Sequence, residues 1–215
     1  MCYSDLLSLF GGAITTVLLS LAGIAFGQPI GFGMALLRWG RVPVLGPLTA
    51  ALVSFLRASP LVTLLLLIFY GLPSIGFEIG PTSAAVLALA LNTSAFNCEI
   101  WRSGLNAFPV DQLEAAKSVG MSSRLRMQRI VFPQLIRTCL PGIVNELSQL
   151  IKVTPVLAIV GIVDVTRAAV RIGANTYAPL PPLCIALLIY IPIIYGLVSI
   201  QRWAERSHAR REAVA

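Results

Sequence analysis

Histidine is almost missing from this chain: His208 is the sole one, close to the C-terminus. Metal sites built on histidine and histidine-dependent nucleophilic triads are thereby excluded. No G-x-x-x-x-G-K-[ST] run occurs anywhere, so the chain has no P-loop to cradle the phosphates of a nucleotide. The four cysteines, Cys2, Cys98, Cys139 and Cys184, show neither C-x-x-C nor metal-ligand spacing, and are expected as small core residues. Charge is scarce too. Charged residues make up 12% and hydrophobic ones 57%, against about 25% and about 45–50% in soluble domains. No Lys or Arg precedes Arg38 and the first apolar stretch is long, so a cleavable secretory signal is not expected.

What is present describes an all-α integral membrane protein. The 215 residues have room for about five spans of about 20 residues as one transmembrane domain, 1–215, with no second globular domain. Apolar runs place the spans near 14–37, 48–72, 83–101, 135–163 and 183–200. The net charge of +7 is explained by topology rather than by a nucleic-acid partner. Arg38, Arg41, Arg102, Lys117, Arg124, Arg126, Arg129, Arg137, Arg202, Arg206, Arg210 and Arg211, 12 of the 16 basic residues, fall in alternate loops or the tail. The positive-inside rule then predicts an N-terminus outside and a C-terminus in the cytoplasm. Arg167 and Arg171 fall on the other side, with Asp164 beside them to offset the charge. The tail, about 201–215, reads as a basic cytoplasmic anchor for acidic lipid headgroups. In the first span Gly23, Gly27 and Gly31 recur every four residues, a spacing that lets helices approach closely, within this bundle or between subunits. Pro29 is expected to kink that span.

One cytoplasmic segment, about 103–132, interrupts the apolar pattern. Asp111 is placed to cap a short helix with Glu114 three residues later, as in a capping box, and both acids suit the positive helix end. Gly120 suits the left-handed position after such a helix. Ser122 or Ser123 can cap a second helix carrying Arg124, Arg126 and Arg129, and Pro133 marks where the fourth span begins. Small Ala115 and Ala116 permit close approach by another protein. The plainer alternative is an ordinary amphipathic interfacial loop.

Polar residues inside the spans each ask for a reason, since a charge at mid-bilayer costs about 2.5–3.5 kcal/mol on insertion scales. Asn145, Glu146, Gln149 and Lys152 share an arc of about 120° on the fourth span. They suit a wet solute pathway, or a buried network that ties helices together. Pro155 is expected to break the helix just beyond them, near Thr154. Asn92, deep in the third span, is a pathway candidate, whereas Glu99 has Arg102 one turn away as its partner. Arg57, ahead of Pro60, can satisfy a broken turn or reach the surface. An ion-coupled transporter or channel using Glu146 and Lys152, and a purely structural membrane subunit, are the competing readings.

The run Glu114-Ala115-Ala116, then Gly120, then Ile130-Val131-Phe132-Pro133, resembles the EAA loop of ABC-transporter permeases, with Phe132 in place of the usual Leu. The likeness extends over roughly residues 10–165, through Phe55-Leu56-Arg57-Ala58-Ser59-Pro60-Leu61, Phe69-Tyr70-Gly71-Leu72-Pro73, Leu91-Asn92, Arg102-Ser103-Gly104-Leu105, Pro133-Gln134, Pro141 with Asn145, and Lys152 with Thr154. Over that stretch the chain resembles the polar amino-acid permeases of histidine, glutamine and arginine uptake systems. That resemblance implies a type I importer permease fold in a bacterial inner membrane. It further implies cytoplasmic ABC ATPase subunits that carry the ATP and magnesium, an identical or sister permease, and an extracytoplasmic solute-binding protein. The chain itself is then no enzyme and binds no cofactor. The resemblance gives ATPase coupling to Asp111, Gln112, Glu114, Ala115, Ala116 and Gly120. It leaves Asn92, Asn145, Glu146, Gln149, Lys152 and Thr154 as pathway candidates for a small polar solute. Val153 and Pro155 stand where the family has Asp and Ser, so the solute itself is left open.

Overall fold

The computed structural model describes residues 3–212, and of residues 200, 201 and 203–212 the backbone alone. Cys2 and the side chains of Arg206, His208, Arg210 and Arg211 therefore lie outside the described residues. All regular elements described are helical: α1 Tyr3–Trp39, α2 Leu45–Ala58, α3 Leu61–Ser74, α4 Pro81–Asn106, α5 Val110–Ser118, α6 Ser123–Arg126, α7 Phe132–Val153, α8 Val165–Thr176 and α9 Leu180–Glu212. Four helical stretches are long and apolar enough to cross a membrane, and α2 with α3 makes up to a fifth.

The second expected span is two helices rather than one, bent by 106°. Pro60 supplies no backbone donor and forces Ser59 into extended backbone, φ −81 and ψ 130, so the α2 helix cannot continue. Ser59 makes the last bonds of α2, its N–H and hydroxyl both donating to Phe55 O at 3.0 and 2.8 Å. Arg57 does not serve there. At 14 residues each, α2 and α3 are about 21 Å long, short of a bilayer's apolar thickness of about 30 Å.

The centre of the bundle is the seam between α1 and α4. Gly27 lies so close to α4 that a Cβ would sit 2.8 Å from the Thr93 side chain and 2.9 Å from Ala90 O. At Gly31 it would be 2.7 Å from Ser94 O. The glycine spacing therefore serves packing within this chain. A polar chain pins the seam: Trp101 donates to Gln28 at 3.0 Å, Gln28 to Asn97 at 2.8 Å, and Asn97 to Thr93 O at 3.0 Å. Helix α1 runs through Pro29 without ending. Around the seam a large apolar core gathers residues of α2, α3, α4 and α7, such as Val53, Leu65, Leu89 and Leu150.

A smaller core at the other end joins Leu9 of α1, Val165, Ala168, Ala169 and Ile172 of α8, and Ala186 of α9. Helix α8 was not expected; its apolar positions recur every three to four residues, with Asp164 as the cap. The Asp164 carboxylate accepts from the backbone N–H groups of Thr166 and Arg167 at 3.1 and 2.9 Å, and from the Tyr190 hydroxyl at 3.2 Å. It is engaged with helix α8 rather than with the guanidinium of Arg167, which donates to Ala158 O. Of the cysteines, Cys98 and Cys139 are buried, but Cys184 is exposed on the outer face of α9 and is no core residue. Leu187, Leu188, Ile191 and Tyr195 of α9 are more than half exposed, as a lipid-facing surface requires.

Candidate functional site: the elbow after α4 and the cavity above it

Between α4 and α6 the chain makes a short, rigid elbow. Pro109, with φ −61 and ψ 120, leads into α5 and no side chain caps it, so Asp111 lies inside the first turn instead of ahead of it. The expected capping box does not form, because Pro109, with its φ preset, takes the cap position and the helix starts two residues earlier than expected. The other end is as expected. Gly120 has φ 76, its N–H donates to Lys117 O at 2.9 Å, and the Met121 N–H donates to Ala116 O at 3.1 Å. This paired closure is the Schellman motif, and it fixes where the helix stops.

Two contacts hold the elbow to the membrane bundle. Gln134, at the start of α7, donates to the Gln112 side-chain oxygen at 2.9 Å. Leu113 packs on the main core and Ala116 is buried, so Ala116 faces this chain rather than leaving room for a partner. Asp111, Gln112, Glu114 and Ala115 are exposed, flanked by Val110 at 61% and Val119 at 75% exposure. The open side of this capped helix is thus a mixed surface of acid, alanine and valine.

Ser122 caps α6 as expected, accepting from Leu125 N–H at 3.4 Å. The helix it starts is not separate from the fourth span. It passes through a π turn, Met127–Val131, into α7 and on to Val160 without a break. Pro133 has no N–H to give Arg129 O and its ring would crowd that carbonyl; the wider turn before it, with Phe132 N–H donating to Met127 O, makes the room. Phe32, Trp101 and Phe132 meet edge to face at 5.1 and 5.7 Å and tie this junction to the α1–α4 seam.

From the elbow end a cavity of about 500 Å³ runs inward between α2, α4 and α7. Ser103 and Thr138 line its outer part, Asn145 and Glu146 its inner part, and Arg57 and Glu99 face them. From Thr138 to Glu146 is about 12 Å along the helix axis. Glu99 is anchored by basic neighbours: Arg38 donates to Oε1, and Arg102 donates to Oε2 through Nε and Nη2 at 2.9 and 2.7 Å. Arg57 stands 4.0 Å from the same carboxylate, with its guanidinium 5.4 Å from the centre of the Phe96 ring. Glu99 thus pairs with Arg102 as the spacing predicts, and with Arg38 as no local spacing could reveal.

The structure brings only Asn145 and Glu146 of the pathway candidates into this cavity. Asn92 is half-buried, and Gln149 is exposed on the α7 surface away from it. Lys152 lines a separate, mostly apolar cleft with Tyr190 and Tyr195. Glu146 and Lys152 therefore do not form the coupled pair that an ion-driven reading needs. Thr154 is fully buried, its hydroxyl donating to Ile151 O at 2.9 Å. That carbonyl is the one Pro155 leaves without its usual donor four residues on, so Thr154 repairs the backbone. Helical winding continues beyond it as a 3₁₀ segment, Thr154–Val160, rather than stopping at Pro155. Arg57 is the cavity residue that the sequence reading set aside, because Pro60 drew attention to its backbone role.

A helical membrane bundle with a locked polar elbow at one end, and a polar cavity opening beside it, is the membrane part of a solute-moving machine. The model of the family described as the binding-protein-dependent transport system inner membrane component matches residues 27–210, and the chain belongs to that family. It is 35% identical over 209 residues to the nopaline transport system permease protein NocM of Agrobacterium fabrum, covering 91% of this chain and 87% of that one. With the arginine transport system permease protein ArtQ of Bacillus subtilis it shares 41% identity over 154 residues, 71% of this chain and 70% of the other. A crystal structure of an amino acid ABC transporter with histidines superposes at a TM-score of 0.85 with 31% identity, over 93% of this chain and 94% of that one. The chain is a membrane-spanning permease subunit of an ATP-binding-cassette importer, with the importer permease fold.

Proposed function

We propose that this permease imports amino acids handed over by an extracytoplasmic binding protein, works as one half of a permease pair, and is driven by cytoplasmic ATPase subunits that dock on α5. The observation that carries the reading is the elbow itself: a helix of nine residues, closed by Gly120 and bonded through Gln112 to α7, with its remaining face open. Such a part transmits a push and does no chemistry. In this reading ATP and magnesium belong to the docking subunits, and this chain binds no cofactor and catalyses no reaction. Asp111, Gln112, Glu114 and Ala115 form the coupling face, while Ala116 and Gly120 hold its shape.

An amino-acid cargo is supported by the relatives named for arginine and amino-acid transport. The cavity is also suited to a zwitterion. Arg57 offers a cation to a carboxylate, and Glu146, which has no ion pair among the described residues, offers a carboxylate to an amine. Its volume lies within the range of about 300–1,000 Å³ usual for small-molecule sites. The membrane is the bacterial inner membrane, with the N-terminus outside and the C-terminus in the cytoplasm. Support for that orientation is the gathering of Arg38, Arg41 and Arg102 at the elbow end of the bundle.

Replacing residues 112–120 by a flexible linker in the reconstituted transporter tests this. Loss of the ATPase on copurification, with the membrane bundle still folded, is expected. Unchanged assembly together with solute-stimulated ATP hydrolysis would overturn it, as would uptake by the permease alone in ATP-free vesicles.

A further inference from the structure

Apart from the cavity already described, a second hollow of about 390 Å³ opens where α1 gives way to α2. Arg38, Arg41 and Arg102 line it, and no acidic residue does. Arg38 and Arg102 share the carboxylate of Glu99, which lies behind them. Arg41 is exposed and makes no ion pair or side-chain hydrogen bond among the described residues. Positive charge is therefore in excess here, and Arg41 carries the part of it that nothing answers.

The sides of α2 show which way the hollow faces. Leu45, Leu48, Leu52 and Phe55, all about half exposed or more, share one side of the helix. Gly46, Pro47 and Ala50, which wall the hollow, lie on the opposite side. The apolar side suits lipid, so the hollow is turned away from lipid and towards the rest of the protein's end surface. That end is the elbow's. Arg102 stands about one turn before Asn106, where α4 stops, and α5 begins at Val110.

The corner that carries Arg41 is held in one shape. Arg41 and Val44 are non-glycine residues in the left-handed region, at φ 49 and 67, a costly conformation that persists only where the surroundings impose it. The Gly40 N–H donates to Leu36 O at 2.8 Å and the Gly46 N–H to Val42 O at 2.9 Å, closing the corner from both sides. Val44 at its tip is 77% exposed, like Val110 and Val119 on α5. A fixed corner with an unpaired guanidinium and a bare valine loses little freedom when a protein covers it. We propose that this corner is a second contact for the ATPase subunit that α5 receives, with Arg41 paired to an acidic side chain of that subunit. The proposal rests on the reading of α5 as the docking helix. Arg41 is the group that reports on it, since Arg38 and Arg102 also tie the bundle together through Glu99.

The test titrates ATPase onto permease in nanodiscs of phosphatidylcholine alone, at low and at high salt. At low salt Arg41→Gln should lower the affinity by about two- to fivefold, the effect of one exposed ion pair. High salt should erase that difference by screening the pair. Arg41→Glu should lose more, and Arg41→Lys should keep most of the affinity. Arg171→Gln, an equal loss of charge on the exposed side of α8 at the other end, should bind as wild type does. In Arg41→Lys, a zero-length carbodiimide should join residue 41 to an acidic residue of the ATPase, read by mass spectrometry. Absence of that linkage overturns the proposal. Equal affinity in wild type and Arg41→Gln overturns it as well, and leaves the elbow standing if replacing residues 112–120 still abolishes docking. Docking that survives that replacement overturns both readings. An effect of Arg41→Gln that emerges only once phosphatidylglycerol is added makes the occupant a lipid headgroup, and overturns the protein contact.

Discussion

Substituting Gly120 isolates the mechanical role of the elbow from every other role in the chain. At φ 76 the residue sits where an L side chain clashes with its own backbone, and alanine there costs about 1–2 kcal/mol. Nothing else enters the sum: a Cβ at this position would meet no atom within 4 Å, so neither packing nor a contact is lost. Two hydrogen bonds depend on the conformation, Gly120 N–H to Lys117 O and Met121 N–H to Ala116 O. If the strain is relieved by unlatching the end of α5, docking of the ATPase must first restore it. The affinity of the ATPase for reconstituted permease should then fall by about five- to thirtyfold in Gly120→Ala. Gly120→Asn, which tolerates the left-handed region better, should lose less. Melting of the membrane bundle should stay within about 0.5 kcal/mol of wild type in both, since position 120 itself touches neither apolar core. The measurement is a titration of ATPase onto permease in nanodiscs. Equal affinity in Gly120→Ala and wild type, or a larger loss in Asn than in Ala, would show that the turn does not position the docking face.

Three other outcomes follow from the geometry. Gly27→Ala places a methyl group 2.8 Å from Thr93 and 2.9 Å from a backbone oxygen, and should destabilise the bundle by about 1–3 kcal/mol in detergent unfolding, whereas Gly33→Ala, with open space around it, should not. Glu99→Gln removes the charge that holds Arg38 and Arg102, and because the group is partly exposed the loss should be about 1–3 kcal/mol, read by the same unfolding assay. Glu146→Gln and Asn145→Ala should raise KM for uptake or reorder substrates without disturbing assembly, while Gln149→Ala, on the surface away from the cavity, leaves both unchanged.

Features that depend on neighbours in sequence were legible before any coordinates. Gly120 closes α5, Ser122 caps α6, Arg102 pairs with Glu99, and the four-residue glycine spacing does mark a close helix seam. Local rules failed where two of them competed. Asp111 is a good cap by type, but Pro109 two residues earlier had already set the helix start. Pro133 is a helix breaker by type, yet a π turn upstream absorbs it and the helix goes on. The stripe Asn145 to Lys152 shares a face on a helical wheel, but a wheel cannot say that α2 and α4 cover one end of that face and α9 the other. Helix α8 was hidden by its length, since 12 amphipathic residues do not register in a search for spans of about 20.

The seam of α1 and α4 sets where this permease can bend. Two helices whose backbones touch through glycine have no side-chain cushion across which to slide, and the Trp101–Gln28–Asn97 chain bolts them in register. They form a keel. Any alternation of access must therefore be borne by the pieces hung on it: the folded pair α2–α3 with its proline corner, and the rod from Ser123 to Val160 with its widened turn beside the elbow.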